Sequence, residues 1–297
     1  MTVWPFIEAE EAEQQHSVKR ACELLEVSRA AFYEYRKHIP SGRELSDREL
    51  LEKVREIHAT SKGTYGSPRV HGELRNQGIH VGKKRVARLM VGAGLEGRCK
   101  KRWRKTTIPD PDVERARDLI QRQFGPCAEI DRRYVGDITY INTWEGWAYL
   151  ATVIDLASRK VVGWALGDHM RAELVIDALD MAFAHRRPNR GVIFHSDRGC
   201  QYTSAEHADF ARANGVVLSV GRKGECWDNA VAESFFATIK RELIDTRAWP
   251  TRAGLRTAVF IYIEGWYNTR RLHSSLGYLS PADYEAKIHH HAARQAA

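Results

Sequence analysis

The chain has 297 residues, enough for about two domains of roughly 150 residues each. With 43% hydrophobic and 28% charged residues it has the make-up of a chain with a buried core, which excludes disordered, collagen-like and disulfide-scaffold classes. Of the net charge of +8, residues 1–110 carry +7 (22 basic less 15 acidic), so the N-terminal part carries the field that would attract a polyanion.

The apolar stretch Trp147–Leu156 is too short for a membrane span and contains Asp155, and the acidic N-terminus lacks the build of a secretory signal, so a cytoplasmic protein is expected. Five separated cysteines without a CxxC pair indicate neither a zinc ribbon nor a disulfide framework.

Along the chain, Glu8, Glu10, Glu11 and Glu13 open an acidic segment without an obvious helix start, expected to be a frayed or partner-dependent helix. Over Ser17–Tyr35, Val18, Ala21 and Leu25 and then Ala31, Phe32 and Tyr35 recur at helical spacing, with Ser28 able to cap the second helix. Two short helices joined by a tight turn outline a helix-turn-helix, although a plain helical hairpin has the same pattern. A further helix is expected from Asp47 with Ser46 as cap and Leu50, Leu51, Val54 and Ile57 on one face. After Gly63, Gly66 and Pro68 come helices over Arg69–Asn76 and Lys83–Val91, the latter turning Val86, Leu89 and Met90 inward and Lys84, Arg85 and Arg88 outward.

Lys83–Lys105 holds ten Lys or Arg and a single acid, Glu96. Lys84, Arg85, Arg88, Lys100, Lys101, Arg102 and Arg104 are therefore the expected DNA contacts of this stretch. The segment Arg98–Pro111, with Pro109 and Pro111, reads as a linker. The expected organisation is a helix-turn-helix-like segment over 1–42, a basic helical region and linker over 43–110, a catalytic domain over 111–285 and a tail over 286–297.

Beyond Gly125, strands are predicted at Tyr134–Ile141, Ala148–Asp155, Lys160–Leu166, Val192–His195 and Val216–Val220, with helices at Ala172–His185 and Ser204–Ala213. Three successive strands followed by alternating helix and strand describe a mixed α/β sheet. Within it, Asp137 lies inside the strand YVGDITYI, Asp197 follows the apolar VIFH, and Glu233 sits in a helix starting near Asn229. A carboxylate in an apolar strand is costly unless paired or metal-bound, and acids converging from strand ends and a helix can hold two divalent ions about 3.5–4 Å apart, the standard clamp for phosphodiester displacement. Singly, Asp197 could merely start a turn and Glu233 merely complement a helix dipole.

Together these residues resemble something specific. Asp197 and Glu233 are separated by 35 residues, and DITYI, HSDRG, QY, DNA and ESFF follow in order, with KGTYGSPRV and VGKKRVARLM upstream and YNTRRLHSSLGYLSPADY downstream. Over nearly its whole length the chain resembles the transposases of bacterial insertion sequences of the IS-three family. Their catalytic half, often called OrfB, belongs with the retroviral integrases in the DDE superfamily. Departures are Tyr134, where Trp is common, and Gly221, where Ser is common.

The resemblance implies an α/β, RNase H-like catalytic core behind an all-helical DNA-binding region. It makes Asp137, Asp197 and Glu233 both catalytic residues and ligands of two Mg²⁺ ions, for which Mn²⁺ can substitute, and gives Lys240 a grip on the transposon end. It further implies cleavage at element ends, strand transfer by a 3′-hydroxyl, a homo-oligomer on terminal-repeat and target DNA, and fusion to or partnership with an upstream OrfA-type protein. The alternatives are an RNase H-type nuclease that hydrolyses without joining and a DNA-binding regulator without catalysis. His195 is not expected to be a general base, because bound metal can activate the nucleophile. Arg270, Arg271 and His273 read as strand-end or DNA contacts, and His289, His290 and His291 as a solvated run.

Overall fold

The computed structural model describes residues 3–13, 17–37, 40–98, 129–197, 199–220 and 230–296. They group into two units, Met1–Arg55 and Glu56–Ala297.

The first unit contains α1 (Trp4–Ala12), α2 (Val18–Leu24), α3 (Arg29–Lys37) and the start of α4 (Gly42–Thr60). The acidic opening segment is a formed helix rather than a frayed end. Pro5 presets its first turn, Ile7 is fully buried with Val18, Ala21, Cys22 and Phe32, and the Trp4 ring stacks on Tyr35 at 6.0 Å. Ser17 caps α2 by accepting the Arg20 N–H at 3.3 Å, and Glu26 adopts φ 54° in the turn to α3. α4 begins upstream of the expected Ser46 cap, because Ser41 and Glu44 close a reciprocal box: the Glu44 N–H donates to the Ser41 hydroxyl at 3.3 Å and the Ser41 N–H to the Glu44 carboxylate at 2.7 Å. On this helix Leu50, Val54 and Ile57 are buried and Leu51 is half-buried.

In the second unit α5 (Ser67–Asn76) and α6 (Lys83–Gly92) pack together, with Val70, Leu74, Val86 and Met90 buried. Lys100, Lys101, Arg102 and Arg104 and most of the expected linker lie outside the described residues. A five-stranded sheet follows, built from β1 (Arg133–Thr143), β2 (Gly146–Asp155), β3 (Val161–Gly167), β4 (Ile193–Ser196) and β5 (Val217–Val220) in the order β3-β2-β1-β4-β5. β1, β2 and β3 form an antiparallel meander, whereas β4 runs parallel to β1 and β5 parallel to β4. This is the predicted mixed sheet. α7 (Ala172–Arg186) covers β2 and β3 and packs against α8 (Ala205–Ala213), burying Tyr134, Val153, Val162, Leu174, Leu179 and Phe194.

Gly136 permits the approach of β4, since a Cβ there would collide with the Phe194 ring. α9 (Ala230–Glu242) lies against β1 and β2, and α10 (Arg252–Tyr262) and α11 (Pro281–Ala296) complete the chain.

The tail between α10 and α11 is tied down by buried polar contacts. The Asn268 side chain accepts the Val161 N–H and donates to the Val161 carbonyl, both at 2.9 Å, imitating a strand partner at the edge of β3. Tyr65 accepts the Leu272 N–H at 2.8 Å, and Arg69 donates to the Leu272 carbonyl at 3.1 Å. Arg271, read from sequence as a strand-end or DNA contact, is instead buried in an ion pair with Glu242 at 2.8 Å, each side chain 4% exposed. Tyr262 donates a further bond to Glu242 at 2.8 Å. Burial by itself raises the Glu242 carboxyl, but Arg271 outweighs it and holds the group below the ordinary carboxylate range.

Substituting Arg271→Met strands a buried carboxylate and is expected to cost about 3–5 kcal/mol in urea unfolding. Because the folded Glu242 is depressed below its ordinary value of 4.5, its contribution is complete above that pH and disappears as pH falls through the lowered value. The double variant Glu242→Leu with Arg271→Met should lose that part of the acid sensitivity, seen as a flatter urea midpoint below pH 4.5. Gly136→Ala should destabilise by about 1–3 kcal/mol through overpacking against Phe194, read in the same assay.

Candidate active site

β1 pairs with β4 only from Arg133 to Val135, so Asp137 stands just past the end of that ladder, where the two strands part. Asp197 directly follows β4, and Glu233 occupies the first turn of α9. The three sequence-predicted carboxylates are therefore brought to one end of the sheet by three elements. Asp137 accepts the Ile138 N–H at 2.8 Å, and Asp197 accepts the Gly199 N–H at 3.0 Å in a turn where a Cβ on Gly199 would press on Gln201.

Their fields overlap. The Asp137 carboxyl is pushed up to about 7, first by burial and then by Asp197 and Glu233, while Lys240 pulls it the other way. Glu233 is raised by desolvation. Lys240, two turns beyond Glu233 on α9, places its ammonium 5.3 Å from the Tyr140 ring centroid, and Tyr140 meets Trp147 edge to face at 5.3 Å. Both rings are exposed. Tyr202, which the sequence offers only as part of QY, is buried beside the cluster, its hydroxyl pushed well above its ordinary range by burial and then by Asp137 and Asp197.

The remaining candidates fall elsewhere. His195 is buried and shares a 2.8 Å hydrogen bond with the Ser219 hydroxyl across β4 and β5, a bond between strands. His273 is held well below its ordinary value, first by burial and then by Arg271, Arg69 and Arg159, so it is neutral. Lys84 and Arg88 are exposed on α6 and Arg85 is half-buried. His289, His290 and His291 are exposed on α11.

Among the described residues no three carboxylate, imidazole or thiolate groups are gathered tightly enough to form a finished metal cluster. The donor chemistry nevertheless fits hard divalent cations: all three groups are carboxylates, and Asp137 is buried within the fields of Asp197 and Glu233.

The chain matches the HTH-like domain family over residues 44–103 and the integrase core domain family over residues 129–226 and 214–281. The mixed sheet behind a helical region is thus the RNase H-like integrase class expected from sequence. The insertion element IS600 31 kDa protein of Shigella sonnei is 38% identical, covering 92% of this chain and 100% of that protein. A putative transposase of IS986/IS6110 from Mycobacterium tuberculosis is 37% identical over 91% of this chain and 99% of its own. Transposase InsF of IS3A from Escherichia coli is 38% identical over 95% and 98%. Among solved structures, the HTLV-2 integrase catalytic core domain with magnesium aligns at a TM-score of 0.40 and 16% identity, over 52% of this chain and 97% of that one. No helix among the described residues is long and apolar enough to cross a membrane. Relatives matched over nine-tenths of this sequence, and over nearly all of their own, place the chain in the family of IS3-type insertion-sequence transposases, to which it belongs.

Proposed function

We propose that the chain cuts DNA at the ends of an insertion sequence and joins each freed 3′-hydroxyl to a second phosphodiester, with Asp137, Asp197 and Glu233 as its catalytic carboxylates. The observation that carries this reading is the delivery of three acids to one end of the sheet by β1, the end of β4 and α9, where the charges of Asp197, Glu233 and Lys240 all act on the buried Asp137. Two Mg²⁺ ions, or Mn²⁺ in their place, would be held by these carboxylates and, when bound, supply activation of the attacking oxygen and stabilisation of the leaving one.

In the joining step the 3′-oxygen bonds to phosphorus, the bond from phosphorus to the departing strand's oxygen breaks, and no covalent enzyme intermediate forms. The protein's own residues bind and orient. Lys240 offers a cation to a phosphate oxygen and is itself steadied over Tyr140. The buried Tyr202 stands beside Asp137 and Asp197. The exposed Lys84 and Arg88 of α6, with Arg85, Lys100, Lys101, Arg102 and Arg104, supply sequence-independent affinity for the backbone. The family resemblance adds homo-oligomeric assembly on DNA and an upstream OrfA-type partner, whose contribution a side-by-side assay of the chain alone and fused to that frame would measure.

Asp137→Asn, Asp197→Asn and Glu233→Gln each keep shape but remove charge, and each is expected to abolish cleavage and joining of labelled element ends in Mg²⁺ while leaving DNA affinity within about twofold. Strand transfer by any of the three overturns the role of that residue. Cutting without joining by the unaltered protein would favour the nuclease alternative, and binding alone the regulator. Replacing Lys84 and Arg88 by Gln should flatten the slope of log affinity against log salt by about 0.9 for each phosphate that α6 no longer neutralises. An unchanged slope removes α6 from the DNA interface.

A further inference from the structure

A cavity of about 490 Å³ lies on the other side of α9 from the carboxylates, and its charge is one-sided. Arg69 of α5, Arg98 beyond α6, Arg159 between β2 and β3, Arg241 of α9 and Arg271 of the tail all line it, and no Asp or Glu is among its described lining residues. Glu242 neutralises Arg271 from behind. Arg69 and Arg98 donate to the carbonyls of Leu272 and Arg241, at 3.1 and 2.8 Å, contacts that fix their head groups without cancelling their charge. Two further buried nitrogens are left over. Arg241 Nε and His273 Nε2 are buried at this cavity with no hydrogen-bond partner among the described residues. A buried polar group left unsatisfied is destabilising, and guanidinium groups gathered around one cavity repel, so the arrangement carries a cost that an oxygen-rich anion would offset.

The crowding is visible in Arg69, whose guanidinium is lowered first by burial and then by Arg271. The location identifies the anion. α9 divides its residues between two faces: Glu233 and Lys240 stand toward the carboxylates, whereas Ser234, Thr238 and Arg241 line the cavity. The two sites are thus one helix width, about 10 Å, apart, and a strand whose scissile bond lies at the carboxylates has its neighbouring phosphates within reach of the arginines.

We propose that this arginine cavity is a second DNA site, which binds backbone phosphates of the strand held at the carboxylates. It rests on DNA as the substrate but not on the chemistry assigned to Asp137, Asp197 and Glu233. Since contacts to backbone phosphates carry no base information, the binding is independent of sequence.

The test is fluorescence anisotropy of the full chain in EDTA, with a labelled element-end duplex and a scrambled duplex of equal length, over a salt series. Arg98, exposed at the rim, and Arg241 are each changed to Gln, and Arg241 also to Lys. Each Gln variant should bind both duplexes more weakly by the same factor, roughly tenfold, with a salt slope shallower by about 0.9 for each phosphate no longer neutralised, and Arg241→Lys should retain the slope. Arg98 is exposed and its side chain bonds only to main-chain carbonyls at the end of α9, so the slope of Arg98→Gln decides the matter should Arg241→Gln unfold. Unchanged affinity and slope in the Gln variants overturn the proposal. Tight binding of dATP that is abolished in the Gln variants, with the DNA slope unchanged, assigns the cavity to a free nucleotide and also overturns it. Failure of the unaltered chain to bind either duplex would remove the DNA reading itself, and this site with it.

Discussion

The buried pair of Glu242 and Arg271 fixes the C-terminal end of α9, and with it everything α9 carries. Glu233, Lys240 and Arg241 lie along this one helix, so its rotation and depth decide whether an acid meets Asp137 and Asp197 or points into the basic cavity. A helix turns 100° per residue, and a small slip would exchange the two faces. The pair resists that slip because neither charge can leave the other without being stranded in a low-dielectric interior. Tyr65 and Arg69 hold the backbone around Arg271 on its far side, which makes the helical region before the sheet part of the scaffold of the site.

The second consequence is a sharp division of charge. On one side of α9 the buried Asp137 is raised by burial and then by the charges of Asp197 and Glu233, and on the other five arginines line one cavity. The two sets stand on different faces of α9, which also buries Phe235, Phe236 and Ile239.

Much of this is legible in the residues. β1 to β5, α7 and α8 lie within one or two residues of their predicted spans, because alternation of apolar residues reports directly on burial. Asp137 stands out for the same reason, as a charge inside an apolar strand. The start of α4 is misplaced by sequence because Ser46 before Asp47 has the look of a cap, while the working box needs Ser41 and Glu44 to reach each other. α1 is underestimated because its inward face rests on Trp4 and Ile7 alone, amid acids. Arg271 looks like a surface base because its partner is 29 residues away and nothing local announces it. Tyr202 and the arginine cavity are invisible in sequence for a related reason: their neighbours come together only when strands, helices and tail have already packed.

The Asn268 amide on Val161 has a wider meaning. β3 is an edge of the sheet, and an exposed edge is a template on which a second chain can add a strand. By presenting one donor and one acceptor in the place of a neighbouring peptide, Asn268 occupies the hydrogen-bonding positions at the start of β3 with a side chain that cannot itself be extended. The edge is terminated rather than left open. A second chain therefore cannot extend the sheet through this end of β3, and any contact between copies has to be formed by other surfaces.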